Sequence, residues 1–222
     1  MSDFHDAAAD DRPERVEGSG AWSAEASRDS ADAPHRAAHL DLQALANWLP
    51  RLGAVLWLDR PVRRVAPLRA VTGSRGLLLL DHPALDALAR STALTAHTQV
   101  TPHGPREWLA FRDASGETLA KLYLLPDTDY LAWDEMTVAT ALAPRAEEPA
   151  RWHAHAAFLR QALARIGSAW QARLFKFEQR KLPWLQTLDA RSPLRLSLLG
   201  LELARLIARS EGAELVSPLH AA

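Results

Sequence analysis

The segment Trp-His-Ala-His at residues 152–155 is the first place to look for chemistry, because imidazole nitrogens bind metals and exchange protons near neutral pH. On a helix, His153 and His155 point about 200° apart, so the two cannot grip one metal ion, although each can bind separately. There is no cysteine in the chain, which excludes disulfides, thiolate metal sites, iron–sulfur clusters and cysteine nucleophiles. No Gly-rich phosphate loop, no Gly-x-Ser-x-Gly elbow and no metalloprotease histidine pair occurs. Carboxylates are plentiful, but none is singled out as an acid–base pair by an apolar setting. Lys121 is out of place among Ala120, Leu122 and Tyr123. Strand alternation reads it first as a solvent-face residue and second as a ligand contact. Nothing in these residue types requires an enzyme.

The elements that must position these residues begin near residue 38. Leu42, Leu45, Ala46 and Leu49 recur at helical spacing, and Pro50 with Gly53 closes that segment. The run AVLWL reads as a strand, Gly-Ser-Arg-Gly as a turn into the strand LLLL, and Asp81 as the cap of a short helix carrying Leu85, Leu88 and Ala89. Trp108–Arg112 and Thr118–Leu125 form a hairpin around Asp-Ala-Ser-Gly, with Gly116 left-handed and the second strand stopping at Pro126. Asp127, Thr128 or Asp129 then caps a helix with Tyr130, Leu131 and Trp133. After the acidic linker APRAEEPA the pattern reads as helical to the end. Ala156, Leu159, Leu163, Ile166, Trp170 and Leu174 fall near one face, Pro183 ends that helix, and a largely buried helix spans Pro193–Arg209.

Residues 1–40 hold nine Asp and Glu against four Arg, a balance of −5 in a chain of net charge −1, so the rest carries +4. The acidic part is poor in large apolar residues and cannot offset the entropy of ordering, so residues 1–37 read as a solvated tail. Residues 38–222 read as a single domain, sheet-containing over 38–142 and helical over 150–222. The element order implies an α+β fold, a mainly antiparallel sheet flanked by helices. There is no global basic field to recruit nucleic acid. No signal-peptide pattern or membrane-spanning run is visible, so the expectation is a soluble, cytoplasmic protein.

The stretch WLAFRDASGETLAKLYLLPDTDYLAWDEM resembles the repeat of the cytoplasmic heme-utilisation proteins of Gram-negative bacteria, the hemin-degrading factors or hemin transport proteins of HemS and HmuS type. Phe111, Asp113, Gly116, Lys121, Tyr123, Leu124 and Asp129 stand at the positions of that repeat's Phe-Asp-x-x-Gly, His-Lys-Val-Tyr-Leu and Ser-Asp-Leu elements. Upstream, LPRLGAVLWLDR is similar to the family's first block through Leu49, Pro50, Leu52, Gly53, Val55, Leu58 and Arg60. The likeness covers about residues 45–140. It departs where the family has Val-His-Glu, since PVRRVAPLRAV has no histidine.

The resemblance implies a HemS/ChuX-like fold and heme as the cofactor. It implies an iron ligand from His153 or His155, followed by Phe158, Arg160 and Arg165, with His97 or His103 as the alternative. Lys121 would reach a propionate, and Arg90, in ALDALAR, stands near the place of the family's Asp-Leu-Arg. Heme is a flat apolar disc with two carboxylates and an iron, so its site needs aromatic walls, cations at the rim and an axial ligand. Eight Trp and nine His are compatible with that, although Trp also serves core packing. The implied function is a heme carrier of heme uptake and iron utilisation that passes its cargo to an acceptor. A second implied function is heme degradation with electrons from a separate reductase. A third reading is an interaction module that kept the fold and lost the pocket. Relatives carry two copies of the repeat and this chain shows one, so a homodimer is expected to restore the missing half.

Overall fold

The computed structural model describes residues 38–60, 69–73, 76–146 and 170–216. The tail 1–37, the middle of the Gly-Ser-Arg-Gly turn, the second half of the acidic linker, and His153 and His155 with the stretch around them lie outside the described residues. The helical spacing of Leu42, Leu45 and Ala46 produces α1 (Leu42–Trp48), capped by the Asp41 carboxylate, which accepts from the Ala44 N–H at 3.0 Å. A 3-10 turn over Leu49–Leu52, with Pro50 where no N–H is needed, delivers the chain into β2 (Gly53–Asp59).

Before β2 comes the short β1 (Ala38–His39), and after it come β3 (Arg69–Gly73), β4 (Gly76–Leu80), α2 (Asp86–Arg90), β5 (Ala93–Thr101), β6 (Gly104–Arg112) and β7 (Thr118–Thr128). Then follow α3 (Tyr130–Ala139), β8 (Arg145–Ala146), β9 (Gln171–Lys181), β10 (Leu185–Arg191), α4 (Leu198–Glu211) and β11 (Glu214–Leu215). The strands form one mixed sheet in the order β1-β5-β6-β7-β2-β9-β10-β4-β3, with β8 added to β5 and β11 to β9. Parallel pairing occurs at β10–β4, β11–β9 and β5–β8, and the other described pairs are antiparallel. This is an α+β fold.

The sheet separates two cores. On one face Val55, Trp57, Phe111, Leu122, Phe175 and Phe177 meet the apolar sides of α1, α2 and α3, including Leu45, Leu88 and Trp133. On the other, Leu56, Leu58, Trp108, Tyr123 and Leu174 meet Ala204, Ile207 and Ala208 of α4. β2 is buried on both faces, which is why its sequence is a continuous apolar run.

The hairpin forms as expected, with Gly116 at φ 85° and Asp113 Oδ1 accepting from the Ser115 and Glu117 N–H groups at 2.9 and 3.0 Å. Its second strand does not stop at Pro126. The β2–β7 register slips between Gly53 and Val55, and the proline, which has no N–H to donate, is accommodated there. The three candidate cap residues take three different roles. Asp129 caps α3, accepting from the Ala132 N–H at 3.0 Å. Thr128 ends β7, its hydroxyl accepting from the Leu125 N–H at 2.9 Å and donating to the Ala54 carbonyl at 2.6 Å. Asp127 turns away to receive the Ser197 N–H and hydroxyl, both at 2.8 Å, at the start of α4.

Other expectations are corrected. Asp81 does not cap the helix after β4; the His82 ring nitrogen Nδ1 accepts from the Ala84 N–H at 3.1 Å, while the Asp81 N–H bonds the Leu188 carbonyl. The helical reading fails over residues 171–191, which form the β9–β10 hairpin with Pro183 in its loop. β9 is covered on both faces, so Ala172, Leu174, Phe175 and Phe177 are all buried, and this spacing imitates a helix where strand alternation should have shown. The last helix starts at Leu198 rather than Pro193, and it is less buried than expected, since Leu194, Leu198 and Leu199 are exposed.

The Asp127–Ser197 contact leaves no room beside Gly200, where a Cβ would collide with Asp127 Oδ2. Gly200→Ala should therefore displace the carboxylate from Ser197 and lower stability by about 1–2 kcal/mol, the usual loss for a broken helix cap. Urea titration checks this, and Asp127→Ala in the same chain should remove most of the added loss, because the two changes touch the same contact.

Candidate functional site

Of the expected site residues, His97 and Lys121 fall on the same face of the sheet. His97 of β5 is the cross-strand partner of Trp108 on β6, and Trp108 is the partner of Tyr123 on β7. The three rings form a stacked row, with centroids 5.1 Å apart for His97–Trp108 and 5.3 Å for Trp108–Tyr123. His97 Nε2 lies 2.8 Å from the Thr95 hydroxyl. All three rings are buried. Arg106, two residues before Trp108, shares this face and donates to the Ser210 hydroxyl at 3.2 Å. Burial lowers the Arg106 pKa from its ordinary value, and the nearby Tyr123 and Glu211 oppose that shift.

Lys121 neither points into water nor stands alone. Its Nζ donates to Glu211 Oε2 at 2.8 Å, and the Tyr123 hydroxyl donates to Glu211 Oε1 at 2.5 Å. Strand alternation puts Lys121 and Tyr123 side by side, and α4 lays its last turn across them. Together they form a two-donor cradle for one carboxylate, beside an aromatic row. The sequence does not reveal Glu211 as the third member, because it is 90 residues from Lys121.

Arg90 is elsewhere. It ends α2 on the opposite face of the sheet and pairs with Asp86 at 2.9 Å; Arg69 of β3 pairs with the other oxygen of the same carboxylate. His103 lies exposed in the turn between β5 and β6.

A second polar group, not anticipated from sequence, sits at the end of β2 on the α1–α3 face. Asp59 is buried and its Oδ1 receives Arg173 Nη1 at 2.5 Å. Burial pushes the Asp59 pKa up to about 6 even though Arg173 pulls it down. His82 packs edge-on to Phe175, with centroids 4.9 Å apart, and its pKa is lowered by burial and by Arg173, against Asp189 and Asp81. The fully buried Trp57 indole N–H, two residues before Asp59, has no hydrogen-bond partner among the described residues. In the sequence Asp59 looks like the polar end of a strand and nothing more.

An open cleft of about 440 Å³ lies over β9 and β10, lined by residues such as Glu178, Arg180, Leu185, Asp189 and Arg191. Its mixed charges and lack of aromatic walls do not suit a flat apolar ligand. No group of three or more metal-binding side chains occurs among the described residues, and no described helix is long and apolar enough to cross a membrane.

The donor set on the Lys121 face suits a heme propionate, since two donors already hold a carboxylate beside stacked rings. An incoming carboxylate would have to displace Glu211.

No family model matches the sequence, and no curated protein does. Among solved structures the chain is similar to the heme degrading enzyme ChuS of Escherichia coli O157:H7, at 18% identity and a TM-score of 0.33 over 57% of this chain and 41% of that one. It is similar to ChuS described as an E. coli heme oxygenase, at 20% identity and 0.32 over 46% of this chain and 33% of that one. It is also similar to holo-PhuS, a heme-binding protein from Pseudomonas aeruginosa, at 20% identity and 0.34 over 56% of this chain and 42% of that one. The matched part thus spans only between a third and just over two fifths of those chains.

Proposed function

We propose that this chain is a cytosolic heme-binding protein of heme uptake and iron utilisation that carries heme and hands it to an acceptor. The reading rests on Lys121 and Tyr123, two positions of the family-like motif, which jointly hold a carboxylate at 2.8 and 2.5 Å beside a stacked aromatic row. It is supported by the pairing of the two family-like blocks: β2 and β7 run antiparallel side by side, and the Asp129 N–H bonds the Leu52 carbonyl at 2.8 Å. In this reading Lys121 and Tyr123 hold a propionate in place of Glu211, and His153 or His155 supplies the axial nitrogen. Bound heme would bring iron redox chemistry, which is what a degrading enzyme fed by a reductase would use; the chain's own residues do not distinguish that reading from the carrier.

Hemin titration of the full chain tests the proposal. The expected result is saturation at one heme per chain with the spectrum of an axial nitrogen ligand, lost in one of the two single variants His153→Ala and His155→Ala, the one that removes the ligand. Lys121→Ala should weaken binding by about tenfold, the size of one charge-assisted hydrogen bond. Glu211→Gln should tighten it by removing the competing carboxylate. A spectrum like that of hemin on an albumin-like surface would sink the heme reading and leave the interaction module. Adding a reductant under air to the hemin complex then separates a carrier, whose heme spectrum persists, from a degrading enzyme, whose spectrum bleaches.

A further inference from the structure

The N-terminus of α4 is tied to the stretch of chain that leads into α3. Asp127 receives both the N–H and the hydroxyl of Ser197 at 2.8 Å, and Asp129, two residues on, caps α3. Around that junction four leucines stand in water: Leu131 at 69% exposure, Leu194 at 101%, Leu198 at 84% and Leu199 at 67%. Tyr130 adds to them, about half exposed. An amphipathic helix ordinarily turns its leucines inward, yet α4 buries small residues, Gly200, Ala204 and Ala208, together with Ile207, and leaves its first leucines outside.

These leucines present roughly 500 Å² of apolar surface, in the upper part of the 300–600 Å² that a typical monomer's largest patch spans. Two such patches face to face would bury about 1,000 Å², the level at which a specific interface begins. The flanks of the junction differ in charge. α3 packs on one face of the sheet and presents the exposed Asp134, whereas the approach to α4, on the other face, presents the exposed Arg195. Neither has a charge partner among the described residues. A patch that is apolar in the middle, acidic on one flank and basic on the other is complementary to itself after a half-turn. A twofold axis through the leucines would set the Asp134 flank of one copy against the Arg195 flank of the other.

We infer that this junction is the contact surface of a homodimer, with a second copy of the chain as its occupant and Leu131, Leu194, Leu198 and Leu199 at its centre. The surface lies apart from the Lys121 cradle, so the inference stands whether or not the chain binds heme.

Light scattering of the full chain at micromolar concentration should give twice the 24.5 kDa chain mass. Leu194→Glu and Leu198→Glu change side chains that support no core, so circular dichroism should show the fold intact while dimerisation weakens at least about tenfold. Asp134→Arg alone and Arg195→Glu alone should each weaken the dimer several-fold. The double variant should recover most of that loss, because the reversed charges pair again across the axis. A mass of 24.5 kDa throughout would overturn the inference. So would a dimer indifferent to the leucine and charge changes, or a monomer that instead co-sediments with phosphatidylserine-containing vesicles through these leucines.

Discussion

From below pH 4 to above pH 6 the folded protein is expected to lose about 3 kcal/mol of stability as pH rises, through Asp59 alone. Its folded pKa is raised from 3.8 to about 6, so across this window the native state keeps a proton that the unfolded chain has already released. Stability therefore falls as pH rises through the window, by about 1.4 kcal/mol for each pH unit that separates the two pKa values, and stays at the lower level above it. The cause is burial: the carboxylate is buried at the end of the central strand, and Arg173 at 2.5 Å only partly offsets the lost hydration. Asp59→Asn keeps the shape and an acceptor for Arg173 but cannot titrate. Urea unfolding of both proteins from pH 4 to pH 7 isolates the contribution, because every other carboxylate titrates in both. The wild type should gain on the variant as pH is lowered, and a difference that stays flat would show that Asp59 is charged throughout.

Thr128→Val should destabilise the fold by about 3 kcal/mol. The hydroxyl is buried and does two things at once, accepting from the Leu125 N–H and donating to the Ala54 carbonyl, so it closes the irregular place where β7 departs from β2. Valine fills the same space and leaves both backbone groups buried without partners, at roughly 1–3 kcal/mol each. Thr128→Ser retains the hydroxyl and should cost far less. Equal losses in the two variants would assign the effect to the missing methyl group instead.

The pieces of this fold legible in the sequence are those where one local rule acts alone. Leu42, Leu45 and Ala46 spell a helix, Gly116 marks the hairpin turn, and an Asx cap precedes α3, although three adjacent residues suit that task and only geometry assigns it to Asp129. β9 is hidden because two cores claim its alternate residues, which erases the period that identifies a strand. The candidate site is legible only in part, for a different reason. Lys121 is conspicuous as a lysine inside an apolar strand, but the meaning of its position comes from Glu211, and no local pattern links residues 90 positions apart. Asp59 is invisible in the sequence because burial, not residue type, makes it unusual.

The place of β2 in the sheet also sets a timetable. Its two neighbours are β7 and β9, and the β9 partners of residues 54–59 are residues 171–176, so the middle of the sheet is closed by chain made long after β2 itself. At synthesis rates of about 5–20 residues per second, the strand AVLWL emerges roughly 10 s before the strand that covers its second edge. During that interval one of the most apolar segments of the molecule has an open ladder on the ribosome. Nascent chains stalled before residue 171 should be the ones that chaperones hold, and the fold can lock only when β9 arrives.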